Sequence, residues 1–270
     1  MATLRRIFDL YIESSIHVAL AVYALIRITC IQLNIFYDEP VAYFGFYGTI
    51  VGYNFIKYDE LARVKKVKLT PNFKAIIGLS FIAALATLYY FFQLQPITKL
   101  FGIIGLFVTI LYTLPFIPNK PNMRNWAGIK IYLVAIAWVL VTVILPVLNS
   151  EYDFNAVVII KSVQRFILVF VLMLIFEIID LKNDEHYLQT IPQKIGEIAT
   201  KKLTYVLLIF FVLLDFFKPN VTLKDLLIIS LVAFCIGVFT FFATTQKSKY
   251  YTSFWVEAVP IFWFLLLLIF

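Results

Sequence analysis

Residues 155–184 read NAVVIIKSVQRFILVFVLMLIFEIIDLKND. From Ala156 to Ile179 the stretch is rich in Val, Ile, Leu and Phe. Its length matches the roughly 20 residues a helix needs to cross about 30 Å of hydrocarbon. The apolar positions run on without alternating, which predicts a lipid-embedded or buried helix rather than a strand. The run ends in acids: Glu177, Asp180 and Asp184 follow one another at helical spacing.

Working outward, eight more apolar segments of comparable length appear, near 10–36, 41–57, 73–93, 97–116, 127–148, 203–217, 225–244 and 252–270. They predict an all-α polytopic membrane protein, with nine transmembrane helices in one bundle and residues 1–270 forming a single domain. The segments are too continuous for the alternating strands of a membrane barrel. Composition agrees. Charged residues make up 14% of the 270 and hydrophobic ones 62%, with a mean hydropathy of +0.92. A soluble globule carries about 25% charged residues, so that class is excluded. Met1–Arg6 leads into a segment holding Glu13 and His17, which reads as a retained first helix rather than a cleaved signal. Cys30 and Cys235 both fall in apolar runs, as buried free thiols do.

The formal charge of +7 reflects placement, not nucleic-acid binding. With the N-terminus on the cytoplasmic side, 17 of the 23 Lys and Arg residues fall on that side. Arg27, Lys99, Lys161, Arg165, Lys218 and Lys224 are the remainder. Such a bias predicts an N-in, C-out orientation. The long loops near 58–72 and 181–202 then share one face with the loop near 117–126, and loops on a rigid scaffold are where function concentrates.

On an ideal helix Glu177, Asp180 and Asp184 lie within about 60° of one another. Three carboxylates so placed repel, and they are costly to desolvate without a cation. A hard divalent cation answers that need, and Mg²⁺ typically takes one or two carboxylates plus substrate phosphates. Salt bridging to Lys182 and its neighbours is the plainer alternative.

After Asp184 come Thr190, Pro192 and Gly196. The order D-x-x-x-D, T-x-P, Gly resembles the second aspartate-rich motif of the UbiA superfamily of intramembrane prenyltransferases. Two positions depart from it: Leu188 replaces the mid-motif Gly, and the Thr-Pro pair arrives one residue early. The first motif of that family, N-D-x-x-D-x-x-x-D, falls at Asn54, where Phe55, Tyr58 and Ala62 replace the acids. Asp59 and Glu60 stand nearby, and Lys57 is placed to meet phosphate as a point charge. Between helices four and five, Tyr112, Pro115, Lys120 and Arg124 are similar to the family's tyrosine–proline–basic stretch, with Lys130 just beyond.

The resemblance implies an enzyme of a bacterial inner membrane with cytoplasmic active-site loops. It would transfer an isoprenyl group from a prenyl diphosphate to a lipid-soluble acceptor, with Mg²⁺ as cofactor, membrane lipid as surroundings and no nucleic-acid partner. Asp180, Asp184, Asn54 and Glu177 would be the metal ligands and acid residues. Lys57, Tyr58, Tyr112, Lys120, Arg124 and Lys130 would bind substrate. Terpene cyclisation and a non-catalytic lipid- or partner-binding role are the alternatives. Tyr53 and Trp138 join Tyr58 and Tyr112 as aromatic candidates for stabilising a carbocation. Within the apolar runs the ionisable residues singled out are Glu13, His17, Arg27, Asp215 and Glu257. Buried ionisable groups in a membrane are functional candidates. Glu13, His17 and Arg27 are expected on one face of a single first helix, and Glu257 is either an interior residue or a partner for Arg27.

Overall fold

The computed structural model describes residues 2–63, 70–114, 128–219 and 221–270, without the side chains of 2–4 and 59–63. The described elements are all helical. The Val-, Ile-, Leu- and Phe-rich stretch before the acids forms α8 (Ala156–Asp180), capped by Asn155, whose side chain accepts from the N–H groups of Val157 and Val158 at 2.9 and 3.3 Å. Such a cap answers two of the four donors a helix start leaves open. Around α8 sits the main core: Leu168, Val171, Ile175 and Ile178 pack with Leu25, Phe211, Val232, Val259 and Trp263.

The other elements in chain order are α1 (Ala2–Glu13), α2 (Ile16–Gln32), α3 (Glu39–Arg63), α4 (Pro71–Gln93), α5 (Pro96–Thr113), α6 (Lys130–Val139) and α7 (Leu145–Asn149). After α8 come α9 (Ile191–Ile195), α10 (Glu197–Leu213), α11 (Leu223–Phe242) and α12 (Val259–Ile269). Six described helical stretches are long and apolar enough to cross a membrane: 71–93, 96–113, 130–149, 156–180, 223–242 and 251–269. A bent pair made of Arg5–Glu13 and Ile16–Gln32 gives a seventh if taken as one span. Several spans of this kind mark an integral membrane protein. On α4 the outer face exposes Phe81, Ile82, Leu85, Tyr89 and Phe92, a surface suited to lipid and not to water.

The continuous first helix expected from hydropathy is broken. Its halves meet at 56°, with Ser15 in the left-handed region at φ 63°. Glu13 therefore does not share a helix face with His17 and Arg27. It lies on α1 and meets Lys249 at 3.3 Å. The segment near 203–217 likewise starts earlier, at Glu197, because Lys201 and Lys202 extend the helix as a polar end.

Two spans change pitch before a proline. The fifth runs through α6, a π-helical turn at Leu140–Ile144, and α7 with Pro146. A proline has no N–H and its ring crowds the carbonyl four residues back. Here that carbonyl belongs to Thr142, and it accepts instead from Thr29 Oγ1 on α2 at 2.6 Å. The last span opens with a π-helical turn at Tyr251–Val256 and carries Pro260 just inside α12.

Candidate functional site

The acids gather where α8 ends. Asp180 is its last helical residue and is exposed. The backbone N–H groups of Asn183 and Asp184 both reach the Asp180 carbonyl, at 2.7 and 2.9 Å. The helix thus stops at Asp180, and the reading that put Asp184 on the same helical face is corrected: a turn, not the helix, carries it. Glu177, Asp180 and Asp184 nevertheless remain electrostatic neighbours, with Lys130 of α6 facing the first two.

Glu177 has a structural task as well. It is buried, and its Oε2 accepts from the Ile191 N–H at 3.1 Å, so it holds the start of α9 against α8. Thr190 and Gln193 form a capping box there, and Gln193 Nε2 reaches back to the carbonyls of Asp184 and Glu185 at 3.3 and 3.2 Å. The returning loop also meets the chain before α6, where the Gly128 N–H donates to the Leu188 carbonyl at 2.9 Å. Gly128 has φ +71°, and a Cβ added there would stand 3.5 Å from Lys194 Nζ. The loop between α8 and α10 is therefore tied down at both ends, next to Lys130 and Lys194.

A second polar group forms where α3 meets the bend between α1 and α2. Asn54 is buried. Its Oδ1 accepts from Ser15 Oγ at 2.8 Å, and its Nδ2 donates to the Ser14 carbonyl at 3.1 Å and to Ser80 Oγ at 2.8 Å. Lys57 Nζ donates to the same Ser15 hydroxyl at 3.0 Å, and Tyr58 Oη donates to the Glu13 carbonyl at 3.0 Å. At the adjacent residue of α3, Trp138 Nε1 donates to Tyr53 Oη at 2.9 Å, and Tyr112 lies within electrostatic reach of Tyr53. Lys120 and Arg124 lie outside the described residues, as do the side chains of Asp59 and Glu60.

Of the intramembrane ionisable groups, His17 is held by Tyr11 Oη at Nδ1, 2.7 Å, and by the Phe254 carbonyl at Nε2, 2.9 Å. Arg27 stacks over the Tyr37 ring, 4.0 Å from its centroid. Glu257 faces Lys57 instead of Arg27. Asp215 is buried with Gln164, Lys161 and Lys218; Gln164 Nε2 donates to it at 2.7 Å and Lys161 stands at 4.0 Å. Sequence reasoning passed over Arg165. It is 3% exposed, and it donates to the Leu25 carbonyl at 3.2 Å, Thr142 Oγ1 at 2.6 Å and Thr29 Oγ1 at 3.3 Å. Two cations four residues apart, Lys161 and Arg165, in an otherwise apolar segment, with Thr on two neighbouring segments, were the available signal.

Among the described residues no three His, Cys, Asp or Glu side chains converge closely enough to form a metal cage. What the end of α8 provides is a pair of hard oxygen donors, Asp180 and Asp184. That donor set fits Mg²⁺ completed by substrate phosphates and water, the usual way this ion is held.

The arrangement is that of a membrane helix bundle with an acidic and basic mouth. No family model matches the sequence, and no curated protein matches it. Among solved structures the chain is similar to a UbiA homolog from Aeropyrum pernix K1, solved in its apo state, at 13% identity and a TM-score of 0.66. The match covers 94% of this chain and 98% of that one. The chain thus has a UbiA-type fold, in line with the resemblance read from residues 177–196.

Proposed function

We propose that the chain is a membrane prenyltransferase of UbiA type. It would use Mg²⁺ to bind an isoprenyl diphosphate and pass the isoprenyl group to a lipid-soluble acceptor. The observation that carries this reading is the Asp180–Asp184 pair at the end of α8, opposed by Lys130, within a fold of UbiA type. In the proposed site Asp180 and Asp184 hold the metal. Lys57 and Lys130, with Lys120 and Arg124, neutralise the diphosphate, and Tyr58 and Tyr112 flank the substrate. When bound, Mg²⁺ supplies charge stabilisation for the departing diphosphate. The protein's own part is to orient the diphosphate against fixed cations and to keep water from the reacting carbon with apolar and aromatic side chains.

The proposal includes nine spans, with α3 and α10 crossing as well, the N-terminus cytoplasmic, and the host membrane a bacterial inner membrane. The 17 to 6 distribution of basic residues supports that orientation.

A non-catalytic lipid- or partner-binding role has its own support. The polar atoms of Asn54 are fully engaged within the protein, and Glu177 caps α9. The two readings part on one assay: purified protein with geranyl, farnesyl and geranylgeranyl diphosphates, with and without Mg²⁺. The enzyme reading expects Mg²⁺-dependent release of inorganic diphosphate from at least one. Absence of release across the set favours the binding role. A cyclic terpene formed without acceptor identifies a cyclase.

A further inference from the structure

On the outer surface of the bundle, α10 and α11 leave a groove of about 650 Å³ between them, a size that suits a small ligand. Leu208, Ile209 and Val212 line it from α10, and Phe234 and Val238 from α11; no charged side chain lines it among the described residues. Gly237 is its floor. A Cβ added there would stand 3.7 Å from Tyr205 Cε1 and 4.0 Å from Leu208 Cδ1. Glycine inside a helix is costly relative to alanine, and here it deepens the groove.

The groove runs from Tyr205 to Leu213 on α10 and from Ala233 to Phe242 on α11. At 1.5 Å per residue those stretches are about 12–14 Å long, close to half of the roughly 30 Å of hydrocarbon in a bilayer. A groove of that length matches a chain from one leaflet. Its mouth-side end is basic. Lys201, one turn into α10, donates from Nζ to the Phe241 carbonyl at 3.4 Å and pairs with Glu197 at 2.9 Å. Lys247 Nζ stands over the Phe242 ring, 5.7 Å from its centroid, and 5.2 Å from that of Tyr251. Lys247 is exposed, and no acid pairs with it among the described residues. Glu197 balances Lys201, so Lys247 carries the uncompensated charge.

We propose that this groove holds a chain of an anionic glycerophospholipid from the mouth-side leaflet, with the lipid phosphate at Lys247. The apolar walls and the glycine floor take the chain, and its depth is set by the length of the groove. The unpaired ammonium group at the end selects a negative headgroup, since cations beside a membrane attract anionic lipids within a Debye length. Phe242 and Tyr251 sit beside that ammonium group, aromatic side chains of the kind that mark the membrane–water interface. Lipid binding of this kind needs the membrane fold alone and is independent of the prenyltransferase reading.

The test titrates full-length protein in detergent with phosphatidylglycerol or phosphatidylcholine of identical chains, and native mass spectrometry reads the lipid retained. One lysine near an anionic headgroup is worth about fivefold in affinity. The wild-type protein is expected to hold phosphatidylglycerol about fivefold more tightly than phosphatidylcholine. Lys247→Gln is expected to remove that preference, and Lys247→Glu to reverse it, with phosphatidylcholine binding unchanged in both. Gly237→Leu fills the floor and is expected to weaken retention of both lipids while leaving their ratio alone. Val238→Trp fills the groove from its rim and covers the case of a poorly folding Gly237 variant. Equal retention of the two lipids by the wild-type protein overturns the inference, as does an unchanged preference in Lys247→Glu. Full retention in a folded Gly237→Leu or Val238→Trp variant places the lipid elsewhere and overturns it as well. Displacement of the lipid by an equal concentration of geranylgeranyl diphosphate assigns the groove to an isoprenyl substrate instead, and also overturns it.

Discussion

Asn54 Oδ1 accepts a 2.8 Å hydrogen bond from Ser15 Oγ, and this one contact joins α3 to the left-handed residue at which the first span bends. Asn54 also donates to Ser14 and Ser80, so one buried amide fixes three segments. Leaving buried partners unsatisfied costs about 1–3 kcal/mol. Asn54→Ala is expected to lower stability by about that amount in thermal unfolding in detergent, and Ser15→Ala by less. A ligand role alone would leave the melting curve of the apo protein unchanged.

Asp180 and Asp184 are expected to behave differently. Asp180 is exposed and makes no side-chain contact that organises the fold, so Asp180→Asn should shift stability by no more than about 0.5 kcal/mol. Mg²⁺-dependent diphosphate release should fall about 100-fold or more, the scale on which electrostatic stabilisation of a leaving group acts. Asp184→Asn is expected to show the same loss of release.

Glu177 separates ligation from scaffolding. Its Oε2 accepts from the Ile191 N–H, and the amide oxygen of Gln can accept in its place. Glu177→Gln should retain most of the stability and a substantial share of diphosphate release. Glu177→Ala should lose about 1–3 kcal/mol along with much of the activity. A Gln variant as inactive as Asp180→Asn would assign Glu177 to the metal instead.

Thr142 joins two of the devices that hold the interior. Its carbonyl, freed by Pro146, takes the Thr29 hydroxyl, and its own hydroxyl takes Arg165 Nη1. Hydrogen bonds to charged groups contribute about 1.5–3 kcal/mol. Thr142→Val is expected to destabilise the protein by about that much, read in detergent unfolding, with little effect on the binding of Mg²⁺ at the far end of α8.

Orientation is open to labelling. In a background of Cys30→Ala and Cys235→Ala, single cysteines at Glu151 and Lys182 report on opposite ends of the bundle. A membrane-impermeant maleimide applied to intact cells should label Glu151→Cys and spare Lys182→Cys. The reverse pattern would overturn the N-in topology.

Much of the architecture was legible because hydropathy and caps agree locally. Asn155 begins α8, and Asp180 ends it where the sequence turns polar. The break at Ser14 and Ser15 was not legible, since serine interrupts neither hydropathy nor helix propensity strongly and its bend is fixed by Asn54, a distant residue. The π-helical turns were hidden for a similar reason: Pro146 and Pro260 announce disruption, but Thr29 decides how it is accommodated in the fifth span. Within the site, the carboxylates and Lys130 could be found by spacing and sign. The cap that Glu177 provides for Ile191 could not, because a loop closes on itself there. The approach of Glu257 to Lys57 joins the two ends of the chain, and no local pattern encodes it.

A structure of the protein with Mg²⁺ and a non-hydrolysable prenyl thiodiphosphate tests the account most directly. It should show the metal on Asp180 and Asp184, with the diphosphate between them and the Asn54–Lys57 end of α3 and its isoprenyl chain entering the bundle toward Tyr53 and Trp138. A thiodiphosphate bound away from the end of α8, or no metal on Asp180 and Asp184 at saturating ligand, would contradict it.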